Sequence, residues 1–599
     1  MKAALRYRVA VLDPHQHRWA VTLDIDRPAA RLRLSLPVWI PGSYLVREFS
    51  QHLQDLSARC GDQTLTLRQL DKNSWEVRLP EDAGTAPLRL QYEVHAFDAS
   101  VRTAFLDQTR GFFNPTSLCL RVHDREHEPH ALELVDNAHT TGWEAATGLS
   151  PDRIDARGWG HYLAADYDEL ADCPVEIGRF WSGSFEVRGV PHRLVIGGAG
   201  IGTDCERLLH DTQRICDTQI AFWHGPDDQP PFRHYLFLLH ASQDGYGGLE
   251  HRNSTALICQ RSDLPRRPGA SAVVSSPKTS DGYTTLLGLI SHEYFHTWNV
   301  KRLRPREFRR YDYDRENYTE LLWFFEGFTS YYDDLLLLRA GLIDEAAYLQ
   351  LLAKTINQVL QTPGRRVQSV AQASFDAWIK YYRIDPNTPN ATVSYYTKGA
   401  LVALCLDLTL RAEGHASLDA VMRALWTRCD AGPMGEADLL AVLRKLGRRS
   451  YADELAAWVH GTAELPLREL LERHGLQWQQ EAAPLAQRLG LRVTEGSALT
   501  LKNVLGGSAA EAAGLAPGDE WLGIELPAVT PDTSPEAWRV RKLDDVALHA
   551  QDQAELIALV ARDGRLLRCP LRWPEPGHVV KLLSPAPVAS GAERRWLRE

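Results

Sequence analysis

The chain has 599 residues, of which 44% are hydrophobic and 24% are charged, and its formal net charge is −10. A chain of this length is too long for a single hydrophobic core, so we expect roughly three or four domains. Acidic and basic residues are mixed along the sequence, which argues against a basic stripe for nucleic acid and against a polybasic patch for an anionic membrane.

The sequence shows no sign of a targeting or membrane-spanning segment. Residues 1–10 lack an uninterrupted apolar core and a small-residue cleavage site, and no apolar run approaches the ~20 residues of a membrane span. The nine cysteines include no C-x-x-C pair, which favours a reducing compartment where they serve as small buried hydrophobes. We therefore expect a cytoplasmic protein with neither nucleic-acid nor membrane partners.

The first part of the chain has the pattern of β-strands. Several segments alternate apolar and polar residues and are separated by Pro, Gly and Asp. These segments are Leu5–Leu12, Trp19–Ile25, Arg31–Val38 and Pro87–Ala96. They predict an antiparallel β domain over residues 1–170.

The pattern changes at about residue 171. Strands are predicted near His192–Ile196 and Tyr235–Leu239, and other segments have the three-to-four-residue apolar spacing of helices. The predicted helices are Asp204–Trp223, Leu286–Thr297, Leu322–Ala340 and Ala400–Arg411. Residues 171–480 are therefore expected to form an α+β domain, first partly β and then mainly helical.

The helix predicted at Leu286–Thr297 contains the pattern H-E-x-x-H, which is typical of zinc hydrolases. Residues four apart lie on one helix face, so His292 and His296 can direct two imidazole nitrogens to one metal ion. Glu293 lies beside them and can accept a proton from a water that the metal acidifies. The alternative is an amphipathic helix with two unrelated histidines.

A catalytic zinc commonly has three protein ligands and one open position. Downstream, Glu326 is the single acid within the apolar and aromatic run Leu321–Tyr332. Burial of an unpaired carboxylate is costly, so this side chain requires a cation. We expect Glu326 to be the third metal ligand. The alternative is an ion pair with an arginine, namely Arg302, Arg304 or Arg306.

The C-terminal region has a separate signal. A short helix ends at Gly514, a Pro-Gly-Asp turn follows at 517–519, and a strand is predicted next. We expect a domain at 485–575 and a tail at 576–599. The segment Gln479–Pro484 has the composition of a linker.

Motifs along nearly the whole chain resemble those of the glycyl aminopeptidase family, peptidase family M61. The most specific are H-E-Y-F-H-T-W-N-V-K-R-L-R-P from His292 and E-G-F-T-S-Y-Y from Glu326. Further landmarks are W-I-P-G-S-Y at 39–44, G-F-F-N at 111–114 and G-G-L-E-H at 247–251. The resemblance implies an N-terminal antiparallel β domain, a thermolysin-like zincin domain with one Zn²⁺, and a C-terminal PDZ-like domain.

The PDZ-like region resembles the permuted PDZ domains of bacterial proteases. In that arrangement, Leu489–Val493 would be the strand that faces a bound peptide or C-terminal segment, which could be added as a further β-strand. The alternative is a domain of PDZ shape that only packs against the catalytic domain.

The segment Gly247–His251 resembles the G-x-M-E-N loop of the aminopeptidase N relatives. The resemblance implies that Glu250 binds the free amino terminus of the substrate and so positions the first peptide bond over the metal. Leu249 and His251 depart from the G-x-M-E-N pattern, and an ordinary edge-strand glutamate is the alternative.

The segment Ser394–Gly399 resembles the Y-x-K-G segment of the same relatives. The resemblance implies that the hydroxyl of Tyr396 donates to the developing oxyanion. Two alternatives remain, a tyrosine with a purely packing role and an exchange of roles with the neighbouring Tyr395.

Together these features predict a zinc aminopeptidase that acts on peptides with a free N-terminus. The family resemblance alone implies a preference for N-terminal Gly or Ala. The alternatives are a metallo-endopeptidase and a catalytically dead, PDZ-bearing scaffold. The presence of all the polar site residues argues against the scaffold.

Overall fold

The structure is a computed structural model that describes residues 3–81, 86–225, 228–267, 279–527, 536–550, 553–584 and 595–598. Its contacts divide the chain into two compact units. The first unit contains residues 1–318, 332–343 and 422–438, and the second contains residues 319–331, 344–421 and 439–599.

The first unit begins with a β-rich region. Its strands are β1 (Leu5–Asp13), β2 (Arg18–Ile25), β3 (Arg31–Ser35), β4 (Leu53–Cys60), β5 (Gln63–Leu65), β6 (Leu67–Gln69), β7 (Ser74–Arg78), β8 (Leu88–His95), β9 (Ala104–Leu106), β10 (Arg110–Phe113), β11 (Arg121–Val122), β12 (His130–Val135), β13 (Glu144–Thr147), β14 (Ser150–Ile154), β15 (Gly160–Ala164) and β16 (Val175–Gly178). Two short helices, α1 (Pro115–Leu118) and α2 (Tyr167–Ala171), lie among them.

Within the described residues these strands form three sheets. One has the order β14-β15-β12-β1-β2-β8-β4-β5, and the other two have the orders β13-β16-β10-β9 and β11-β3-β7-β6. The alternating burial along β1 directs Leu5, Tyr7 and Val9 into the core. The prediction of an N-terminal β-rich region is confirmed, with one correction: β1 and β12 pair in parallel, so the large sheet is mixed.

A further, five-stranded sheet of the first unit has the order β17-β18-β19-β21-β20, so β20 forms one edge. Its strands are β17 (Trp181–Val187), β18 (Val190–Gly197), β19 (Tyr235–Ser242), β20 (Gly247–Glu250) and β21 (Ser254–Gln260). The helices α3 (Cys205–Trp223) and α4 (Asp281–Phe295) pack against each other, and α4 also contacts β20 and β21. Strands β22 (Arg304–Pro305) and β23 (Pro433–Met434) pair in parallel.

The remaining helices supply the helical part that the sequence predicts. They are α5 (Leu322–Arg339), α6 (Glu345–Leu360), α7 (Val370–Phe375), α8 (Thr388–Ala391), α9 (Thr397–Ala412), α10 (Leu418–Arg428), α11 (Glu436–Gly447), α12 (Ala452–Leu455) and α13 (Leu467–Arg473). Helices α5, α10 and α11 each contribute residues to both units.

Two glycines allow α5 and α9 to approach closely. A Cβ atom on Gly327 of α5 would lie 2.5 Å from the Cα atom of Gly399 of α9. A larger residue would therefore push backbone against backbone. This contact brings the N-terminal end of α9 close to the turn of α5 that carries Glu326.

The C-terminal part of the second unit is built around a six-stranded sheet. The elements of this C-terminal part are β24 (Gln477–Ala482), α14 (Leu485–Leu489), β25 (Leu491–Thr494), β26 (Leu499–Val504), α15 (Ala509–Ala512), β27 (Glu520–Leu526), β28 (Glu536–Arg539), α16 (Leu543–Ala550), β29 (Glu555–Arg562), β30 (Arg565–Arg572) and β31 (His578–Leu583). The sheet order is β25-β26-β27-β29-β30, with β28 also paired to β27. Trp521, Ile524 and Val560 lie in its core.

The predicted linker at Gln479–Pro484 is wrong. Most of it belongs to β24, which pairs antiparallel with β31 over six residue pairs, from Gln477 with Leu583 to Ala482 with His578. Five of the six β24 residues are exposed, so the strand has no apolar alternation and resembles a linker in sequence. The predicted tail at 576–599 likewise contains β31 and a 3₁₀ turn at Arg595–Leu597. Residues 585–594 and 599 of that tail lie outside the described part.

The two-stranded ribbon of β24 and β31 is fixed to helix α6. The side chain of Asn357 donates to the carbonyl of Val580 at 2.8 Å and accepts from its N–H at 2.8 Å. The ribbon is therefore a defined structural element.

All nine cysteines are free thiols. Among the described residues, no helix is both long enough and apolar enough to cross a bilayer.

Candidate metal centre

Helix α4 places the two predicted histidine ligands on one face. Ser280 caps its N-terminus by accepting a hydrogen bond from the backbone N–H of Tyr283. The helix ends at Phe295, two residues before the predicted end, but His296 keeps helical dihedrals of φ −60° and ψ −18°. His292 and His296 therefore remain one turn apart on the same side.

The second ring nitrogen of each histidine is oriented by a hydrogen bond. His292 Nδ1 lies 3.0 Å from Oδ2 of Asp333, and His296 Nδ1 lies 2.8 Å from the carbonyl oxygen of Asn299. With both Nδ1 atoms donating, both Nε2 atoms present lone pairs, as metal-binding histidines require. Burial raises the pKa of Asp333, and the hydrogen bond from His292 opposes this effect.

The geometry of the ligands fits a single metal ion. The two Nε2 atoms are 3.0 Å apart. Two nitrogens at ~2.0–2.1 Å from a tetrahedral ion are roughly 3.3 Å apart. Ligand atoms of His292, His296 and Glu326 all lie within 4.8 Å of one another. The structure thus brings the three predicted ligands together.

The arginine alternative for Glu326 is not supported. Arg302 donates to the backbone carbonyls of Arg252, Thr297 and Pro231. Arg304 donates to a backbone carbonyl and stacks on an aromatic ring, and Arg306 pairs with an aspartate. The three arginines are therefore committed elsewhere, and Glu326, only 2% exposed, lies in the histidine cluster instead.

Glu293 lies against the edge strand β20. A Cβ atom on Gly248 would be 2.1 Å from Glu293 Oε1, so only glycine leaves room for this carboxylate. Glu293 itself is 5% exposed. The strand thus passes directly over the side chain predicted to accept a proton.

Glu250 is the last residue of the same strand and is 4% exposed. A Cβ atom on Gly42 would lie 2.5 Å from each of its carboxylate oxygens. Gly42 has φ +93°, a conformation that glycine adopts without strain. The W-I-P-G-S-Y segment therefore packs its glycine directly on the carboxylate predicted to bind an amino terminus.

A buried group of charged residues lies behind Glu250. Asp172 contacts Lys301 Nζ at 2.7 Å and His251 Nδ1 at 3.2 Å, and it accepts from the backbone N–H of Arg252 at 2.9 Å. Burial would raise the pKa of Asp172, but the positive charges of Lys301 and its neighbours outweigh this and hold the pKa well below its usual value. Lys301 also interacts electrostatically with Glu250, so these contacts support the end of β20.

Tyr396 lies at the N-terminal end of α9 and is partly accessible, whereas Tyr395 is 0% exposed. Surrounding protein and the nearby Glu326 carboxylate raise the pKa of Tyr396 well above its usual value. Its hydroxyl therefore stays protonated and can donate. The Tyr382 hydroxyl is 3.4 Å away.

Several contributors to the site escaped sequence reasoning. Asp333 follows Glu326 on α5 by about two turns, so it lies on the same face and a heptad-like spacing could have indicated it. Gly42 and Gly248 belong to the W-I-P-G-S-Y and G-G-L-E-H motifs, but their contacts with Glu250 and Glu293 join segments far apart in the chain. Helical or strand periodicity could not reveal them.

The arrangement is that of a metal-dependent peptidase. It consists of two histidines from one helix, a glutamate from another helix and a second glutamate beside the first histidine. The comparisons with known proteins agree with this class. Residues 285–402 match the M61 glycyl aminopeptidase model, and residues 6–179 match the peptidase M61 N-terminal domain model.

A solved aminopeptidase N family protein from Idiomarina loihiensis is 34% identical, over 99% of this chain and 100% of that chain, with a TM-score of 0.89. An M1 zinc metallopeptidase from Deinococcus radiodurans is 16% identical over 77% of this chain and 94% of its own, with a TM-score of 0.48. A mutant of that metallopeptidase bound to a Tyr-Ser-Ala substrate has 16% identity, the same coverages and a TM-score of 0.46. No curated protein sequence matches significantly.

The chain belongs to the M61 glycyl aminopeptidase family. Membership of this family supports the assignment of the protein to the peptide-bond hydrolases, in the metallo-aminopeptidase class.

Proposed function

We propose that this protein is a zinc aminopeptidase that removes a small N-terminal residue, glycine or alanine, from peptides. The observation that carries the proposal is the path of β20. Within four residues this strand contacts Glu293 through Gly248 and ends at the buried Glu250 carboxylate. A peptide aligned with this strand would have its amino terminus at Glu250 and its first peptide bond beside Glu293.

His292, His296 and Glu326 would hold the metal ion. Their imidazole and carboxylate ligands suit Zn²⁺, which when bound polarises the scissile carbonyl and lowers the pKa of a water molecule towards ~7. Asp333 and Asn299 would keep the two imidazoles oriented by accepting from their Nδ1–H groups.

The other side chains would act on the substrate and the water. Glu293 accepts a proton from the attacking water and returns it to the leaving amine. Glu250 binds the α-ammonium, which sets the reaction at the first bond and not at an internal one. Tyr396 donates its hydroxyl hydrogen to the oxyanion, in keeping with its raised pKa.

For the C-terminal region, we propose a PDZ-like domain over residues 485–575 that binds an extended segment of the substrate. Strand β25 (Leu491–Thr494) is at an edge of its sheet and overlaps the segment Leu489–Val493 predicted to face a peptide. A cavity of about 710 Å³ lies elsewhere, between α15 and the ends of β27, β29 and β30, and does not include this strand.

Contacts within the second unit favour a packing role as well. Asn390 of α8 donates to the carbonyl of Val504 and accepts from the N–H of Gly506, and Asn503 donates to the carbonyl of Pro386. The C-terminal sheet thus contacts the segment that leads to Tyr396.

We propose a cytoplasmic location, supported by the free state of all nine cysteines.

The proposed activity is tested by metal analysis combined with a substrate panel. We expect about one zinc per chain, rapid release of glycine or alanine from amino-acyl p-nitroanilides and peptides, and poor cleavage of the same peptides after N-acetylation. Glu250→Ala should strongly depress cleavage of the free-amine peptides. Rapid internal cleavage of an acetylated peptide would identify an endopeptidase, and peptide binding without turnover would identify a scaffold.

A further inference from the structure

Arg102 contacts the same edge strand from the N-terminal β-rich region. Its Nη2 atom donates to the carbonyl oxygen of Gly248 at 3.3 Å. A Cβ atom on Gly247 would lie 3.6 Å from its Nη1 atom. The guanidinium therefore lies beside the two glycines that immediately precede Leu249 and Glu250.

No carboxylate within the described residues forms an ion pair with Arg102, and its Nε atom is buried without a hydrogen-bond partner. The acids of its own loop point elsewhere: Asp98 accepts from the backbone N–H of Ser100, and Asp107 accepts from that of Thr109. A partly accessible arginine with one long hydrogen bond has donors to spare for a ligand.

The direction of β20 places Arg102 beside the part of the substrate that follows the first peptide bond, which is the leaving group of the reaction. A peptide added antiparallel to this edge strand, with its amino terminus at Glu250, runs from Glu250 towards Gly247. At ~3.3 Å per extended residue, Gly248 is roughly 7 Å from Glu250 along the strand. Arg102 therefore faces the second or third residue of the peptide.

We propose that Arg102 binds a substrate carboxylate at this position, so that the enzyme prefers dipeptides and tripeptides with a free C-terminus. The planar guanidinium suits bidentate pairing with a carboxylate, and no protein acid competes for it among the described residues. The carboxylate can come from the C-terminus of a short peptide or from an Asp or Glu side chain following the N-terminal residue. This inference rests on the proposed aminopeptidase activity.

The test compares substrates that differ only in the carboxylate. Ala-Ala and Ala-Ala-Ala are measured against their C-terminal amides, and Ala-Asp amide is measured against Ala-Asn amide, for the unmodified enzyme and for Arg102→Gln. A charge-assisted pair is expected to favour each free acid in kcat/KM by about tenfold to a hundredfold. In Arg102→Gln this ratio should fall to about one. Arg59→Gln, in an exposed hairpin of the same region, should keep the full ratio.

The two sources of the carboxylate separate in this panel. A preference for Ala-Ala over its amide that disappears in Arg102→Gln supports recognition of the C-terminus, and the corresponding loss for Ala-Asp amide supports recognition of the side chain. An acid-to-amide ratio that is the same in the unmodified enzyme and Arg102→Gln overturns the proposal. An equal loss on acids and amides also overturns it, because Arg102 would then act only by supporting the carbonyl of Gly248.

Binding measurements keep this test separate from the proposed function. If the unmodified enzyme hydrolyses none of these compounds, the aminopeptidase proposal fails. Calorimetric titration of zinc-loaded Glu293→Gln protein with Ala-Ala and with Ala-Ala amide still decides the role of Arg102. Tighter binding of the acid that is lost in the Arg102→Gln double variant supports it, and equal affinities overturn it.

Discussion

Gly248 and Glu293 are in such close contact that a single methyl group on Gly248 would lie 2.1 Å from Glu293 Oε1. The edge strand β20 and the helix α4, which carries the candidate metal ligands His292 and His296, are therefore in contact at this glycine. Because Gly248 does not have a positive φ, alanine is compatible with its backbone, and any effect of substitution arises from the carboxylate it displaces.

We expect Gly248→Ala to retain zinc and the folded structure and to lose about 10²-fold in kcat, the typical effect of a misplacement of ~1 Å at a reacting group. Metal content, melting temperature and turnover of alanine p-nitroanilide measure these properties. Gly200→Ala is the matched control, since a Cβ atom there meets no atom within 4 Å. Unchanged turnover in Gly248→Ala would show that Glu293 is not the proton acceptor.

Substitutions should distinguish the proposed metal ligands from the proposed proton acceptor by their effects on zinc content and activity. His292→Ala, His296→Ala and Glu326→Ala are each expected to lose both zinc and activity. Glu293→Gln should keep zinc and lose about 10²- to 10⁴-fold in kcat, because it removes only the base. Metal analysis of purified protein measures the difference, and stoichiometric zinc in His292→Ala protein would contradict the ligand assignment.

Tyr396→Phe tests the oxyanion donor. We expect kcat to fall by about 10²- to 10³-fold with little change in KM, because the hydrogen bond forms chiefly in the transition state. Tyr395→Phe is the matched comparison, and it should have a much smaller effect since its side chain is fully buried. The opposite pattern would assign the role to Tyr395.

Asp172→Asn should destabilise the protein by about 3–5 kcal/mol at neutral pH, because it leaves the buried Lys301 charge uncompensated. The pKa of Asp172 is lowered in the folded state, so its contribution is complete above its usual pKa and is lost as the pH falls. The difference in melting temperature from the unmodified protein should therefore be constant near neutrality and shrink below about pH 4. Asp152→Asn, at an exposed aspartate, should show no such difference.

The contribution of the C-terminal sheet is tested by deleting residues 483–577 and joining Ala482 to His578 through a short Asn-Gly turn. These two residues are partners in the β24–β31 ribbon, so the junction forms a hairpin, whereas ending the chain near residue 480 would break the ribbon. We expect zinc to be retained and small-substrate turnover to fall only a few-fold, through the lost contacts to Asn390.

Longer peptides should lose more activity than short ones if the deleted region recruits them. Asn390→Ala is the control that removes the two hydrogen bonds of Asn390 to Val504 and Gly506 without removing the sheet. Equal relative rates on short and long peptides would reject recruitment. Loss of zinc or of solubility would instead favour the packing role.

The cluster of His292, His296 and Glu326 could be predicted as a metal site because each of these residues has a local signal in the sequence. His292 and His296 have helical spacing, and Glu326 is an acid in an apolar run, where burial without a cation is unfavourable. Glu250 and Tyr396 had weaker local signals, and their roles came from family resemblance alone. The structure places both beside the proposed site, and the roles themselves stay predictions.

Other features depend on contacts between distant segments. Gly42 meets Glu250, and Arg102 meets Gly248, across separations of more than a hundred residues. The helical and strand periodicity of a sequence gives no information about contacts between such distant segments. Strand β24 was missed for a different reason: five of its six residues are exposed, so it lacks the alternation of apolar and polar residues by which strands are predicted.

The pairing of β31 with β24 affects how the protein should respond to proteolytic cleavage between these two strands. A protease that nicks the backbone once between Pro484 and Gly577 leaves two fragments that are still held together by six residue pairs and by Asn357. The region is anchored at its exit as well as at its entry. We therefore expect that a single break does not release this region from the helices that precede it, and that the two fragments stay associated.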